Sequence, residues 1–278
     1  MSSMILGNNY PKLLTHKDIF KNSTFFGSDN FIITSDFKLF LNKCPHRGNK
    51  IIPSGTTKSN LECNLHGWCW NKDGSPINNH IPLLSKNINV GKSGIIFLDW
   101  VEPQDSKWVK DLEEDQLEYS HSIKKIGSGD WKWQMEMHVD LLHVNKIHPL
   151  LDGYVNVKNL TSERGDDWIA QYHEYGWWLF VYPFTHIEYE PGCLYFSEMS
   201  PRQNREGYDI YIHYMFNKHI SNDIKDKFIK MSEITLDEDI EAVNNISMNS
   251  RYRKPGNLLD PLETDIIHFY NWLEKNTK

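Results

Sequence analysis

The sequence predicts an α+β chain in two consecutive parts: an N-terminal antiparallel β domain, then a larger antiparallel sheet flanked by helices. Three observations predict it. Short β-rich runs broken by turn residues fill roughly residues 15–100, longer aromatic-rich runs fill about 161–217, and helical patterns gather near 131–149 and after 221. A length of 278 residues, 39% hydrophobic and 13% aromatic, is enough for two packed cores.

The opening MSSMILGNNYPKLLTHKD has no apolar segment after a basic head, and no stretch reaches the roughly 20 apolar residues of a membrane span. A formal net charge of -7 without a basic run argues against a nucleic-acid partner. The expectation is a cytoplasmic protein with neither membrane nor nucleic acid as partner.

The first strands are read at residues 23–27, 31–34 and 38–41, separated by Gly-Ser-Asp-Asn and Ser-Asp-Phe turn chemistry. Between Lys43 and Trp70 the chain repeats one small device, Cys44-Pro45-His46 and, about seventeen residues later, Cys63-Asn64-Leu65-His66. Each copy offers one thiolate and one imidazole from a tight turn, so two facing turns make a metal site. Structural zinc sites usually pair Cys with Cys and His with His. A Rieske two-iron two-sulfur cluster instead needs two Cys on one iron and two His on the other, which mixed loops supply. The predicted cofactor is therefore a 2Fe-2S cluster held by Cys44, His46, Cys63 and His66, with zinc as the alternative. Gly48, Gly55 and Gly67 give chain freedom around it. Cys69 and Cys193 read as ordinary small residues, and a disulfide is not expected.

Asn71-Lys72-Asp73-Gly74-Ser75 signals a hairpin and residues 94–100 a further strand. The charged run 107–118 reads as a solvated connector, giving domains at 10–118 and 119–278. Residues 131–149 read as one helix stopped by Pro149. Strand-like runs follow at 168–172, 176–182, 193–196 and 208–214, then helices at about 221–231, 235–249 and 261–275. The last helix opens on Asp260-Pro261-Leu262-Glu263 and carries Leu262, Ile266, Phe269 and Leu273 on one face.

The 131–149 segment holds Asp140, His143 and His148. Five residues turn a regular helix by about 140°, so the two histidines share a face only if a widened turn or a loss of regularity before Pro149 intervenes. Two imidazoles and a carboxylate from elsewhere make the facial triad of a non-haem Fe(II) centre.

Taken together, C-x-H-R-G, C-x2-H-G-W and D-x2-H-x4-H resemble the Rieske non-haem iron oxygenases, the aromatic-ring-hydroxylating and choline monooxygenase-like alpha subunits, over about residues 10–273. The resemblance implies a catalytic domain with mononuclear Fe(II) on His143 and His148. It implies that Asp140 bridges a triad His to a Rieske His supplied by the neighbouring subunit of a homotrimer. The third iron ligand is expected in Leu236-Asp237-Glu238-Asp239-Ile240-Glu241, which is similar to the family's E-D segment. Matching that pair selects Asp239, with Asp237 and Glu241 as alternatives. The family's Y-x-P-G-x-L tail is visible at Tyr252-Arg253-Lys254-Pro255-Gly256-Asn257-Leu258.

The chain departs from the family where Met137 replaces an Asn that many members carry after the Glu, and in a short catalytic domain. The implied reaction is O2-dependent hydroxylation or oxidative demethylation of a small organic substrate. Electrons come from an external ferredoxin or NAD(P)H-dependent reductase, since no flavin or nicotinamide fingerprint is present. The alternative is a Rieske electron carrier without oxygenase activity. Trp177, Trp178, Tyr182, Phe184, Tyr195 and Phe196 are candidates to line a pocket, most of them more simply core. An aromatic cage would suit a trimethylammonium substrate.

Overall fold

The computed structural model describes residues 12–28, 30–57, 60–202, 207–249 and 263–276. The chain divides into two compact units, Met1–Gln104 and Asp105–Lys278. The expected α+β class holds, with every sheet in both units antiparallel.

In the first unit, strands β1 (Lys12–His16), β2 (Phe25–Gly27), β3 (Phe31–Thr34), β4 (Lys38–Leu41), β5 (Gly55–Thr57), β6 (Leu61–Cys63), β7 (Trp68–Trp70), β8 (Ser85–Asn87), β9 (Asn89–Val90) and β10 (Ile95–Leu98) form three sheets. Their orders are β5-β2-β3-β4-β8, β1-β10-β9 and the hairpin β6-β7. Phe25, Ile32, Phe40, Ile51, Ile52, Leu61, Trp70 and Leu83 close over one core that also takes in Cys44 and Cys63. The β6-β7 hairpin pairs Cys63 with Trp68 and so carries the second Cys-His loop at its tip. The loop after β4 is pinned by buried Asn42, which donates to the carbonyls of Ser28 (2.7 Å) and Ile52 (2.9 Å) and accepts from the Ile51 (3.0 Å) and Ile52 (3.1 Å) amides.

In the second unit a seven-stranded sheet runs β11-β17-β16-β15-β14-β13-β12. The strands are β11 (Leu117–Gly127), β12 (Thr161–Arg164), β13 (Trp168–Tyr172), β14 (Trp177–Val181), β15 (Thr185–Glu190), β16 (Cys193–Pro201) and β17 (Tyr208–Asn217). Helices α1 (Lys107–Glu114), α2 (Trp131–Val139), α3 (Val144–Ile147), α4 (Asn222–Asn249) and α5 (Thr264–Asn276) accompany it. Helix α2 packs on α4 and α5, and α4 packs on β11 and β16.

Four expectations are corrected. The division falls at Gln104/Asp105 rather than 118/119, because the charged run is not a solvated connector: Trp108, Val109 and Leu112 of α1 are buried, Trp108 lying edge-on to Trp168 at 6.2 Å. Its acids are bonded across the fold. Asp111 accepts from the Trp177 indole at 3.0 Å, and Asp115 accepts from Tyr189, Gly192 and Asn217. The last residues of that run open an eleven-residue strand, β11.

Residues 131–149 are not one helix. Helix α2 ends at Asp140 (φ -75°, ψ 118°), whose Oδ1 accepts the Leu142 amide at 2.7 Å, an Asx turn that competes with the helix ladder. Nor do helices at 221–231 and 235–249 exist separately, since nothing between them stops a helix. There Ser232 and Thr235 donate back to the carbonyls of Phe228 and Met231 within the unbroken helix. Asp260-Pro261-Leu262 and the Tyr252–Leu258 tail lie outside the described residues. Helix α5 does bury Ile266, Phe269 and Leu273.

Among the described residues no helix is long and apolar enough to cross a membrane, and all four cysteines are free thiols. Replacing Asn42 by Ala strands two amides and two carbonyls inside the first unit. It is expected to destabilise the protein by about 2–4 kcal/mol. Urea titration reads this as a lowered midpoint at unchanged slope. A change below about 0.5 kcal/mol would show that the loop does not depend on this side chain.

Candidate metal centres

The two Cys-His loops of the first unit are built alike. The Gly48 amide donates to Cys44 O and the Gly67 amide to Cys63 O, both at 2.8 Å, and each glycine sits at positive φ (78° and 68°). That backbone is open to glycine at no cost and strained for other residues. The result sorts the four side chains by depth. Cys44 and Cys63 are 2% and 1% exposed and their sulfurs contact each other, while His46 and His66 lie at the surface with ring centroids 4.7 Å apart. Asn49 Nδ2 reaches Cys63 Sγ at 3.7 Å. Trp68 is sandwiched, its ring stacked on His46 at 4.6 Å and on His80 at 4.4 Å. Two inner thiols and two outer imidazoles fit a group that takes both Cys on one iron and both His on the other. Cys69 bonds the Gly67 carbonyl and is half-buried, and Cys193 is buried in the second unit.

The second centre is assembled from α3 and α4. His143 caps the start of α3 and His148 its end, where the residue before Pro149 leaves helical geometry (φ -111°, ψ 84°). Between the two histidines the chain is helical over Val144–Ile147, and regularity is lost at His148, before Pro149, one of the two departures the sequence allows for. Their Nε2 atoms lie 3.2 Å apart, and Asp239 Oδ1 is 3.4 Å from that of His143 and 3.1 Å from that of His148. One ligand atom from each of the three lies within 4.8 Å of the others. Asp239 is 6% exposed, and its Oδ1 is buried without a hydrogen bond, as metal-facing oxygens are.

The neighbouring acids point elsewhere. Asp237 is exposed and paired with Lys125 at 2.8 Å, and Glu241 is exposed. Asp140 Oδ2 lies 3.3 Å from His143 Nδ1. Sequence reasoning missed its counterpart, Glu238, whose Oε2 is 2.8 Å from His148 Nδ1. Both rings thus turn Nδ1 to a carboxylate and Nε2 inward, the way outer carboxylates orient metal-binding histidines.

Electrostatics follow this geometry. Burial would lower the His143 pKa, but contacts with Asp140 and Asp239 outweigh it and push it up to about 9. Burial would raise Asp239, yet His143 and His148 hold it well below the carboxylate range. The three groups share charge that a cation would replace.

The triad opens into a cavity of about 640 Å3, open mouth included. Strand alternation selects its walls. Trp178 and Phe180 of β14 face in, as do His186, Glu188 and Glu190 of β15, while Val144, Leu151, Tyr154, Phe228 and Met231 are among the residues that add apolar lining. Of the six aromatic residues singled out in the sequence only Trp178 lines the cavity. Trp177 packs on Trp108 and Tyr189, Tyr182 on Phe269 and Trp272, and Tyr195 on Tyr214. Met137, where many family members carry an amide, is also in the wall.

The Rieske [2Fe-2S] domain family matches residues 12–88. The carnitine monooxygenase oxygenase subunit of Acinetobacter pittii (strain PHEA-2) is 22% identical over 275 residues, 81% of this chain and 73% of that protein. The chloroplastic choline monooxygenase of Spinacia oleracea is 22% identical over 286 residues, 86% of this chain and 64% of that one. Among solved structures, the quaternary ammonium Rieske monooxygenase CntA superimposes with a TM-score of 0.76 at 17% identity, covering 95% of this chain and 87% of its own, and shares the fold. A Rieske [2Fe-2S] domain covers residues 12–88, and the alignments with monooxygenase oxygenase subunits run over most of this chain; together these likenesses support a Rieske non-haem iron oxygenase alpha subunit, with a [2Fe-2S] cluster and a mononuclear iron, over an electron carrier.

Proposed function

We propose that the chain is a terminal oxygenase component that hydroxylates or oxidatively demethylates a small cationic substrate. Electrons reach it from a separate NAD(P)H-dependent reductase or ferredoxin. One observation carries the reading: His143, His148 and Asp239 converge at the floor of a cavity whose walls are aromatic and acidic. Cys44, His46, Cys63 and His66 would hold the [2Fe-2S] cluster, and His143, His148 and Asp239 the mononuclear iron. Once bound, these centres supply reductive O2 activation, which no side chain can perform.

The side chains do the rest. Asp140 and Glu238 place carboxylates 3.3 Å and 2.8 Å from Nδ1 of His143 and His148, so both rings are oriented with Nε2 toward Asp239, where a bound metal would replace the protons they share with it. Asp140 retains a partly exposed carboxylate, 20% accessible, with room for a second imidazole. In the arrangement the family resemblance implies, that imidazole is His66 of a neighbouring chain in a homotrimer. Trp178, Phe180 and Phe228 supply apolar and aromatic wall against which a cation can lie.

Glu188 and Glu190 supply negative charge, and Tyr154 donates to Glu190 at 3.0 Å. Burial, reinforced by Glu190 and Asp239, pushes Glu188 up to about 8. An incoming cation favours the ionised carboxylate and is held by it. The carnitine and choline enzymes among the relatives are named for molecules that carry a quaternary ammonium group, consistent with such a wall.

Asp239→Ala is expected to lower iron from about three to about two per chain while two sulfides remain. Retention of the third iron in that variant would remove Asp239 from the ligand set. Asp140→Asn should keep all the iron yet lose nearly all turnover, and normal product formation would sink the bridging role. With a surrogate reductase, substrate-dependent O2 uptake is expected from trimethylammonium compounds. The Glu188→Gln/Glu190→Gln double variant should raise their KM roughly tenfold or more. Uptake with neutral aromatics alone would refute the cationic substrate.

A further inference from the structure

Five histidines line the cavity: His138, His143, His148, His173 and His186. Four have hydrogen-bond contacts. His143 and His148 meet each other, His148 also meets Glu238, His138 meets Gln134, and His173 accepts the Tyr175 amide. His186 differs. It is 6% exposed, and neither Nδ1 nor Nε2 has a hydrogen-bond partner. Its nearest carboxylate oxygen, Glu188 Oε1, lies 3.7 Å from Nε2, beyond hydrogen-bond range.

The ring is held where it is. It stacks on Phe180, its cross-strand partner, at 4.8 Å and 14°, and packs against His138 at 4.4 Å and Tyr195 at 5.5 Å. Burial, and then His138, lowers its pKa well below the usual value, so the ring is neutral, with one N–H donor and one bare nitrogen. Phe180 and Tyr195 show that aromatic carbon suits this corner of the wall. An imidazole there buries two polar atoms that the wall itself does not satisfy, a cost that a ligand can remove.

We propose that His186 is a specificity-determining residue that hydrogen-bonds an oxygen atom of the bound substrate. The cavity then takes a small molecule with an oxygen function, hydroxyl or carboxylate, set apart from the carbon that reacts at the metal triad. The inference rests on the oxygenase reading for the cavity being the substrate site, and it holds whether or not the substrate is cationic. A site built to bond an oxygen rejects the analogue lacking it, because its buried polar atoms are then left unmet.

The test is equilibrium binding to the anaerobic holoenzyme, read by quenching of tryptophan fluorescence, since Trp178 is in the wall. Three probe sets are compared: choline against propyltrimethylammonium, glycine betaine against the same bare cation, and benzyl alcohol against ethylbenzene. Wild type is expected to favour the oxygen-bearing member of at least one set about tenfold. His186→Phe should cut that preference to less than about twofold without weakening the bare member, and His186→Gln, which keeps a donor, should restore part of it. Preference for choline alone identifies a hydroxyl, and for glycine betaine alone a carboxylate. A preference confined to the benzyl alcohol set upholds His186 while removing the cationic substrate. No preference in wild type, an equal preference in His186→Phe, or no binding of any probe would overturn the proposal. Iron content of Asp239→Ala reports on the oxygenase reading separately.

Discussion

The second unit depends on meeting one constraint: a carboxylate buried to 6% exposure, Asp239, must find enough positive or proton-donating contact to remain ionised. Left alone at that depth it would cost several kcal/mol. Two imidazoles answer it, and each needs its own arrangement of chain. Helix α4 runs unbroken from Asn222 to Asn249, and Phe228, Met231, Ser232, Thr235 and Asp239 form a single stripe on the cavity side. The break at Asp140 separates α3 from α2, and the departure from helical geometry at His148 ends α3 where the second ring stands. Glu238 and Asp140 then fix the rings from behind.

How much of this was legible in the sequence depends on how local each feature is. The Cys-His loops could be read almost completely, because each is closed by its own turn and a glycine whose necessity is intrinsic. The His143/His148 pair was visible as a pair, and the loss of regularity before Pro149 was read from the proline and is found at His148, but the earlier break at Asp140 was not. An Asx turn at Asp140 looks like any aspartate on a helix until its Oδ1 is seen on the Leu142 amide. Among three acids in a row, Asp239 was selected by family likeness alone. The physical discriminator, Lys125 drawing Asp237 outward, comes from β11, a strand whose first residues carry the charge pattern of a connector. The charged run misleads for a related reason: charge density marks solvated chain only when the acids have nothing to bond, and Asp111 and Asp115 accept four hydrogen bonds between them from β14, β15, β17 and the turn at Gly192.

The cavity wall was the least legible part, because both faces of the central sheet are apolar and alternation cannot say which face is which. In β14 the sequence WWLFV offers Trp177 and Leu179 on one side and Trp178 and Phe180 on the other, with nothing local to choose between them. The choice is made by β15. Pairing of Trp178 with Glu188 and of Phe180 with His186 lays aromatic and polar groups side by side on the cavity face. The informative signal was therefore Thr-His-Ile-Glu-Tyr-Glu, three polar residues at alternate positions in an otherwise buried strand, which a search for aromatic residues passes over.

Histidine is put to opposite uses in the two units, and depth is what separates them. His46 and His66 lie at the surface over buried thiols, so charge arriving at that centre can be exchanged with a partner at the shortest range and balanced by solvent. His143 and His148 lie in the wall of a cavity, beside the carboxylates of Asp140, Glu238 and Asp239, with aromatic residues around them that reduce contact with water. His186 shares that environment but has no carboxylate within hydrogen-bond range and stands outside the metal-binding triad. Within such a cavity a neutral ring with unmet nitrogens is poorly suited to holding charge and well suited to recognising a polar atom. That difference in partners, rather than in residue type, separates His186, proposed to bond the substrate, from His143 and His148, proposed to hold iron.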